Sequence, residues 1–275
     1  MFKQRFLVFA LLFIFQIQTH SQKSGYKDKF LVEFQTILDS VKVRGAILVY
    51  DPQKKTYYSN DFEWTKKQNL PASTFKIPNS IIALETGVVE NDSALFEWDG
   101  QPRRMKIWEQ DMIFREAFHR SCVPCYQEIA RKVGAERMNQ YLEKLKYGDM
   151  KVDPNNIDVF WLEGASGISQ YQQIDFLKRF YNGELTIANS TEQMMKRLMV
   201  LEETDTYILS AKTGWSLRNG NNNGWFVGFV EADDKVYFFA TNIEPTEDFN
   251  LDMFGMIRKE ITYKALKLLN FVHIE

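Results

Sequence analysis

The segment GWFVGFVEADDKVYFFATNIE, residues 224–244, reads as two strands and a turn. Gly224 to Glu231 and Val236 to Ile243 are rich in aromatic and β-branched residues, and Ala232-Asp233-Asp234 marks the turn. A third strand precedes them, Thr206 to Trp215, closed by the turn signal GNNNG at 220–224. Met253 to Leu269 then reads as a long closing helix. Near the other end, residues 27–40 place Phe30, Leu31, Phe34, Ile37 and Leu38 at helical spacing. RGAILVYD, 44–51, reads as a strand, with Lys55 to Asn60 as its hairpin partner. Residues 77–205 are mostly helical in pattern, with loops at Asp92 to Arg104 and Tyr147 to Ile157. Strands at both ends with helices between them imply an α+β, mixed α/β architecture. A mainly antiparallel sheet is built from both termini and flanked by helices, and a helical region is inserted in the middle.

A chain of 275 residues can bury a sizeable core in a single catalytic domain. Its net charge of -2 gives no reason to expect nucleic acid or an anionic membrane as partner. Residues 1–21 differ from the rest. Lys3 and Arg5 precede a ten-residue apolar run, Phe6 to Phe15, and Thr19 and Ser21 suit the -3 and -1 positions of a cleavage site. The run is short for a membrane span, which needs about 20 apolar residues. The pattern predicts a signal peptide over 1–21 and a mature domain over 22–275, periplasmic or secreted, with no membrane association after cleavage.

Only His20, His119 and His273 occur, and none lies near a G-x-S-x-G elbow. There is no P-loop, dinucleotide fingerprint or H-E-x-x-H pattern. If a serine acts as nucleophile here, its base is expected to be something other than histidine. In PASTFKIPNS, 71–80, Lys76 follows Ser73 by three residues, so on a helix the two share a face. Phe75, Ile77, Ile81 and Ile82 would supply an apolar wall that lowers the lysine pKa. Alone, this pattern is equally a helix start and a solvated lysine. AKTGW, 211–215, places Lys212, Thr213 and Gly214 on an expected edge strand, and glycine there admits a ligand close to the backbone. Ser121, at the end of the helical pattern WEQDMIFREAFHRS, offers a second hydroxyl.

Ser73-x-x-Lys76, Ser121-x-Val123 and Lys212-Thr213-Gly214, in that order, resemble the penicillin-recognising serine enzymes. The Ser-x-Val form is similar to class D serine β-lactamases. Trp108-x-x-Asp111, Ala117, FWLEG at 160–164, the last strands and Arg258 in IRKEIT resemble the same family. The resemblance implies roles for named residues. Ser73 would form the acyl-enzyme. Lys76, carbamylated by carbon dioxide to N6-carboxylysine, would be the base, with Trp161 donating to the carbamate. Ser121 would relay a proton beside Lys212. Ser73 and Trp215 would supply the oxyanion hole, Val123 and Leu162 a lid over Lys76, and Thr213 and Arg258 the contact to the substrate carboxylate.

The implied partner is a small β-lactam. Carbon dioxide or bicarbonate is needed, no metal or other cofactor is implied, and association into a homodimer is left open. A penicillin-sensing receptor domain, acylated but slow to turn over, is the alternative. A cell-wall transpeptidase or carboxypeptidase is a more distant one. The family's Tyr-Gly-Asn stands here as Tyr147-Gly148-Asp149, which puts the local loop conformation in doubt. Cys122 and Cys125 are read as two small, mostly buried side chains, with a disulfide expected either not to form or to matter little.

Overall fold

The computed structural model describes residues 25–218 and 220–272. The expected signal segment 1–21 lies outside them, as do Gln22, His20 and His273.

The last third folds as expected into consecutive antiparallel strands, β7 (Tyr207–Arg218), β8 (Asn221–Ala232) and β9 (Lys235–Pro245). The second turn is tight: Asp233 and Asp234 both take positive φ, 49° and 58°, the geometry that matches strand twist in a two-residue hairpin. The first is tighter than GNNNG suggests, because Asn221, Asn222 and Asn223 already pair with Arg218, Leu217 and Ser216.

From the N-terminal side, β2 (Val43–Asp51) pairs with β9 from Val43↔Pro245 to Tyr50↔Phe238, and β3 (Thr56–Ser59) adds beyond it. The helix expected over 27–40 starts only at α1 (Val32–Ser40). Lys27–Phe30 is instead β1, parallel to β3 and exposed throughout. The open edge of β3 offers hydrogen bonds that outweigh one turn of helical spacing. With β6 (Val200–Glu203) the sheet order is β1-β3-β2-β9-β8-β7-β6. The edge position expected for the Lys-Thr-Gly strand therefore holds for part of it. β6 covers only Ile208 to Ser210 of β7, and residues 212–218 keep an open side.

One face of the sheet packs on α1 and on α8 (Phe254–Leu268), through Phe34, Leu38, Ile47, Phe239 and Ile261. The other packs on the inserted helices: α2 (Lys76–Glu85), α3 (Phe114–His119), α4 (Val123–Val133), α5 (Ala135–Leu145), α6 (Gln170–Tyr181) and α7 (Asn189–Met199). The helix expected before Ser121 is shorter than its pattern. Glu109 accepts from the Arg103 N–H and Asp111 from the Trp98 N–H, and β4 (Leu95–Phe96) pairs with β5 (Met112–Ile113). Such side-chain bonds to loop backbone compete with helix formation.

A 3-10 turn, Ala72–Phe75, leads directly into α2 and is tied to several elements at once. The Thr74 hydroxyl donates to Pro71 O at 2.7 Å and accepts from Gln173 Nε2 of α6 at 2.9 Å. The Tyr147 hydroxyl donates to Gln173 Oε1 at 3.3 Å, and Trp225 Nε1 of β8 donates to Leu70 O at 2.9 Å. Asp149 leaves this network undisturbed. Its backbone exchanges two hydrogen bonds with Gly167, and its side chain turns outward to Lys151.

Thr74→Val keeps the shape and removes the buried hydroxyl, leaving Gln173 Nε2 without its acceptor. We expect a loss of about 1–3 kcal/mol, read in thermal unfolding as a Tm lower by roughly 2–8 °C.

Candidate active site

Ser73 sits inside the 3-10 turn and Lys76 opens α2, so the two side chains meet across one turn. Lys76 Nζ donates to Ser73 Oγ at 3.2 Å. Ala72, in the left-handed region at φ 49°, is pinned by its N–H to Trp161 O at 2.9 Å. Lys76 is 1 % exposed, and burial pushes its pKa down to about 7. The ring of Tyr126 lies 4.7 Å below the amine, its hydroxyl held by Ser80 at 2.7 Å. An aromatic face favours an ammonium by up to ~2 kcal/mol. The lost hydration is the larger effect, since the direction of the shift is down.

The second hydroxyl comes from the joint between α3 and α4. Ser121 takes φ 51°, a left-handed conformation that costs a non-glycine residue roughly 1–2 kcal/mol. Its Oγ accepts from Lys212 Nζ at 2.5 Å. Trp108 Nε1 holds Arg120 O at 3.0 Å, immediately before it. Lys212 is buried, 4 % exposed. Burial lowers its pKa well below the usual lysine value, and the charges of Lys76, Arg258 and Lys259 lower it further.

The cysteines are buried as expected, but the expectation that they stay unbonded is overturned. Cys122 and Cys125 are disulfide-bonded, and both are buried. Three residues apart at the start of a helix, the two side chains lie one turn apart on one face, which lets them meet. The Cys122 sulfur also caps α4, accepting the Cys125 N–H at 3.2 Å.

The open side of β7 closes the site. A Cβ on Gly214 would stand 2.9 Å from Pro71 O and 3.1 Å from Thr74 Cγ2, so only glycine lets the strand lie against the Ser73 turn. Lys212 and Gly214 share one face of β7, and Thr213 and Trp215 the other. On that other face Trp215 packs edge-on against Phe254 at 5.2 Å and is 41 % exposed. Arg258 of α8 donates to the carbonyls of Gly214, Phe254 and Gly255 and is 7 % exposed. Burial lowers its pKa to about 10, so it stays charged at neutral pH. Gly224 makes room for it, since a Cβ there would fall 2.7 Å from Arg258 Cδ.

Among the described residues, no carboxylate pairs with Lys76, Lys212 or Arg258. Unpaired buried charge is costly, so such a cluster suits an anionic ligand. Trp161 is fully buried, stacks on Phe75 at 5.5 Å, and its indole N–H has no partner. Val123 and Leu162 are partly buried against the same core. The hydrogen bonds join Ser73 to Lys76, Ser121 to Lys212, and Gly214 to Arg258. His119 makes no hydrogen bond to either serine among the described residues, and burial and Lys212 lower its pKa. Sequence reasoning missed Tyr126, although it stands in the Ser121 segment, and the Thr74–Tyr147–Gln173 network, for which nothing local gives a signal.

Residues 43–267 match the penicillin binding protein transpeptidase domain family. The chain is 40 % identical over 228 residues to β-lactamase OXA-10 of Pseudomonas aeruginosa, covering 82 % of this chain and 84 % of that protein. It is equally 40 % identical to β-lactamase OXA-48 of Klebsiella pneumoniae, covering 82 % of this chain and 83 % of that one. The class D β-lactamase YbXI from Nostoc superimposes with a TM-score of 0.82 at 41 % identity, covering 86 % of this chain and 98 % of that one. A class D β-lactamase from Sebaldella termitidis gives 0.85 at 34 %, covering 90 % and 100 %. The chain belongs to the class D β-lactamase family. Class D β-lactamases are serine hydrolases that open β-lactams and need no metal cofactor.

The depressed lysine has a cost in stability with a definite sign. Its folded pKa of about 7 lies below the unfolded lysine value of 10.5. Between those values the unfolded chain binds more protons, so the cost is complete below pH 7 and fades as pH rises toward 10.5. Lys76→Met keeps the volume and removes the amine. In buffer free of carbon dioxide its Tm should exceed that of the parent by about 5 °C or more at pH 6, and the gap should shrink as pH climbs to 10. A gap independent of pH would contradict this account.

Proposed function

We propose that Ser73 is the nucleophile of this β-lactamase and Lys76, as its carbamate, the base. The observation that carries the reading is the Lys76 amine held on the Ser73 hydroxyl in an enclosed site, with its pKa brought down to about 7. A neutral amine is the form that adds to carbon dioxide, releasing a proton. The unpartnered buried indole N–H of Trp161 supports the fit, because a buried anion needs a donor. When formed, the carbamate supplies an anionic base for both halves of the reaction.

The chain's own residues do the rest. The Ser73 oxygen bonds to the lactam carbonyl carbon, and the carbon–nitrogen bond then breaks. The leaving nitrogen takes its proton from the Ser121 hydroxyl, and Lys212, which donates to that oxygen, passes a proton to it in turn. Backbone N–H groups of Ser73 and Trp215 hold the oxyanion, each worth about 3 kcal/mol. Thr213 and Arg258 bind the substrate carboxylate, a role supported by the lack of any other anion at that guanidinium among the described residues. Val123 and Leu162 limit water around Lys76. Water hydrolyses the acyl-Ser73 ester and frees the enzyme.

Export to the periplasm or the medium follows from the N-terminal pattern of Lys3, Arg5 and the apolar run. Among the described residues, no helix is long and apolar enough to cross a membrane.

Activity on a chromogenic cephalosporin should fall as pH drops below about 7, where Lys76 becomes an ammonium, and bicarbonate should restore part of it. Indifference to bicarbonate between pH 5.5 and 7 would contradict carbamylation. A single equivalent consumed without further turnover would instead mark a penicillin sensor. Trp161→Ala should slow deacylation by ~100-fold, the low end of general-base contributions, and slow acylation less. Acyl-enzyme trapped on Ser73 and counted by mass spectrometry checks this.

A further inference from the structure

We propose that the Cys122–Cys125 disulfide is a positioning device for Ser121, which sets the rate of acylation and leaves deacylation alone. The inference rests on the reading of Ser121 as the proton relay.

Ser121 occupies a backbone conformation that a serine leaves when free to do so. In that conformation its Oγ accepts from Lys212, and the side chain swings with its own φ. The turn is held from the N-terminal side by three bonds. Ser121 N–H donates to Phe118 O at 3.2 Å, Cys122 N–H donates to Ala117 O at 2.9 Å, and Arg120 O is held by Trp108. On the C-terminal side, the disulfide ties residue 122 to the first turn of α4. That turn is anchored in turn by Tyr126, the buried ring beneath Lys76. The peptide after Ser121 therefore cannot rotate unless α4 moves with it.

Global stabilisation is the weaker explanation. Cross-linking stabilises a fold in proportion to the loop it closes, and this one spans a separation of three residues. Helix initiation does not need the bridge either. Pro124 stands in the first turn of α4, and the Cys122 side chain already accepts the Cys125 N–H, as a serine there would. What the bridge alone adds is a fixed relation between the Ser121 turn and α4. Tyr126 and Val123 belong to α4 as well, but Tyr126 is fixed to α2 through its hydroxyl on Ser80 and Val123 packs on the core, so the base at Lys76 keeps its surroundings without the bridge.

The test separates the cap from the bridge. Cys122→Ser/Cys125→Ala keeps a capping oxygen and removes the cross-link; Cys122→Ala/Cys125→Ala removes both. In rapid-mixing experiments with a chromogenic cephalosporin, we expect both variants to acylate about 10-fold more slowly. That lies well inside the ~100-fold that a 1 Å misplacement can cost. Deacylation should stay within about 2-fold of the parent, since its base keeps its own support. Treating the parent with a dithiol should reproduce the effect. The reagent delivers two electrons and two protons to the sulfur pair and leaves as its own cyclic disulfide. The capped variant should be insensitive to it.

Near-UV circular dichroism reports whether each variant stays folded, and rates are compared per acylatable site. Unchanged acylation in the folded capped variant overturns the inference. So does an equal fall in both steps, which marks a general structural role. Ser121→Ala distinguishes the underlying reading. If it acylates at the parent rate, the relay role of Ser121 fails and this inference with it. If it is slow while the capped variant is not, the disulfide role alone fails.

Discussion

An amine without water is the constraint on which the rest of this protein depends. Lys76 is enclosed at the start of α2, and its nearest polar partner is the Ser73 hydroxyl. Enclosure requires walls, and the Tyr126 ring, from α4, is one of them. The segments around the amine are themselves tied down. Trp161 O holds Ala72, Gln173 holds Thr74, and Ser80 holds the Tyr126 hydroxyl. The architecture spends stability to keep this amine out of water, the condition under which it is proposed to react.

The same logic extends to charge. Lys212 and Arg258 join Lys76 in a region where, among the described residues, no carboxylate balances them. Their positive fields add, which lowers the pKa of Lys212 beyond what burial alone does. A site built this way is destabilised when empty and relieved by an anion. In the proposed reading, a β-lactam would supply such an anion through its carboxylate and its developing oxyanion. Only an open stretch of β7, backed by Gly214, can bring those groups so near the nucleophile turn.

The elements that the sequence misread share a physical cause. β1 has the spacing of a helix, yet β3 offered an unpaired edge that no local pattern announces. The segment before Ser121 has helical periodicity, but Glu109 and Asp111 turn their carboxylates onto backbone N–H groups of residues 103 and 98. Cys122 and Cys125 looked like buried bystanders. Their bond depends on the chain being in a helix start at that point, with both side chains on one face. In the first two cases a contact from outside the local window decided the outcome, and in the third the backbone of one helix start did.

The residue chemistry was legible from the sequence alone. Ser73-x-x-Lys76, Ser121-x-Val123, Lys212-Thr213-Gly214 and Arg258 carry the groups proposed to react, picked out by their resemblance to the class D family, and strand and helix periods assign them to elements. Periodicity is a local property, so it survives in a linear string. The working state of those groups is not local. The lowered pKa of Lys76, the hydroxyl of Ser121 turned toward Lys212, and the unpartnered N–H of Trp161 exist only once remote segments exclude water and fix directions. Dielectric and orientation belong to the packed volume around a group, and only the tertiary structure sets that volume.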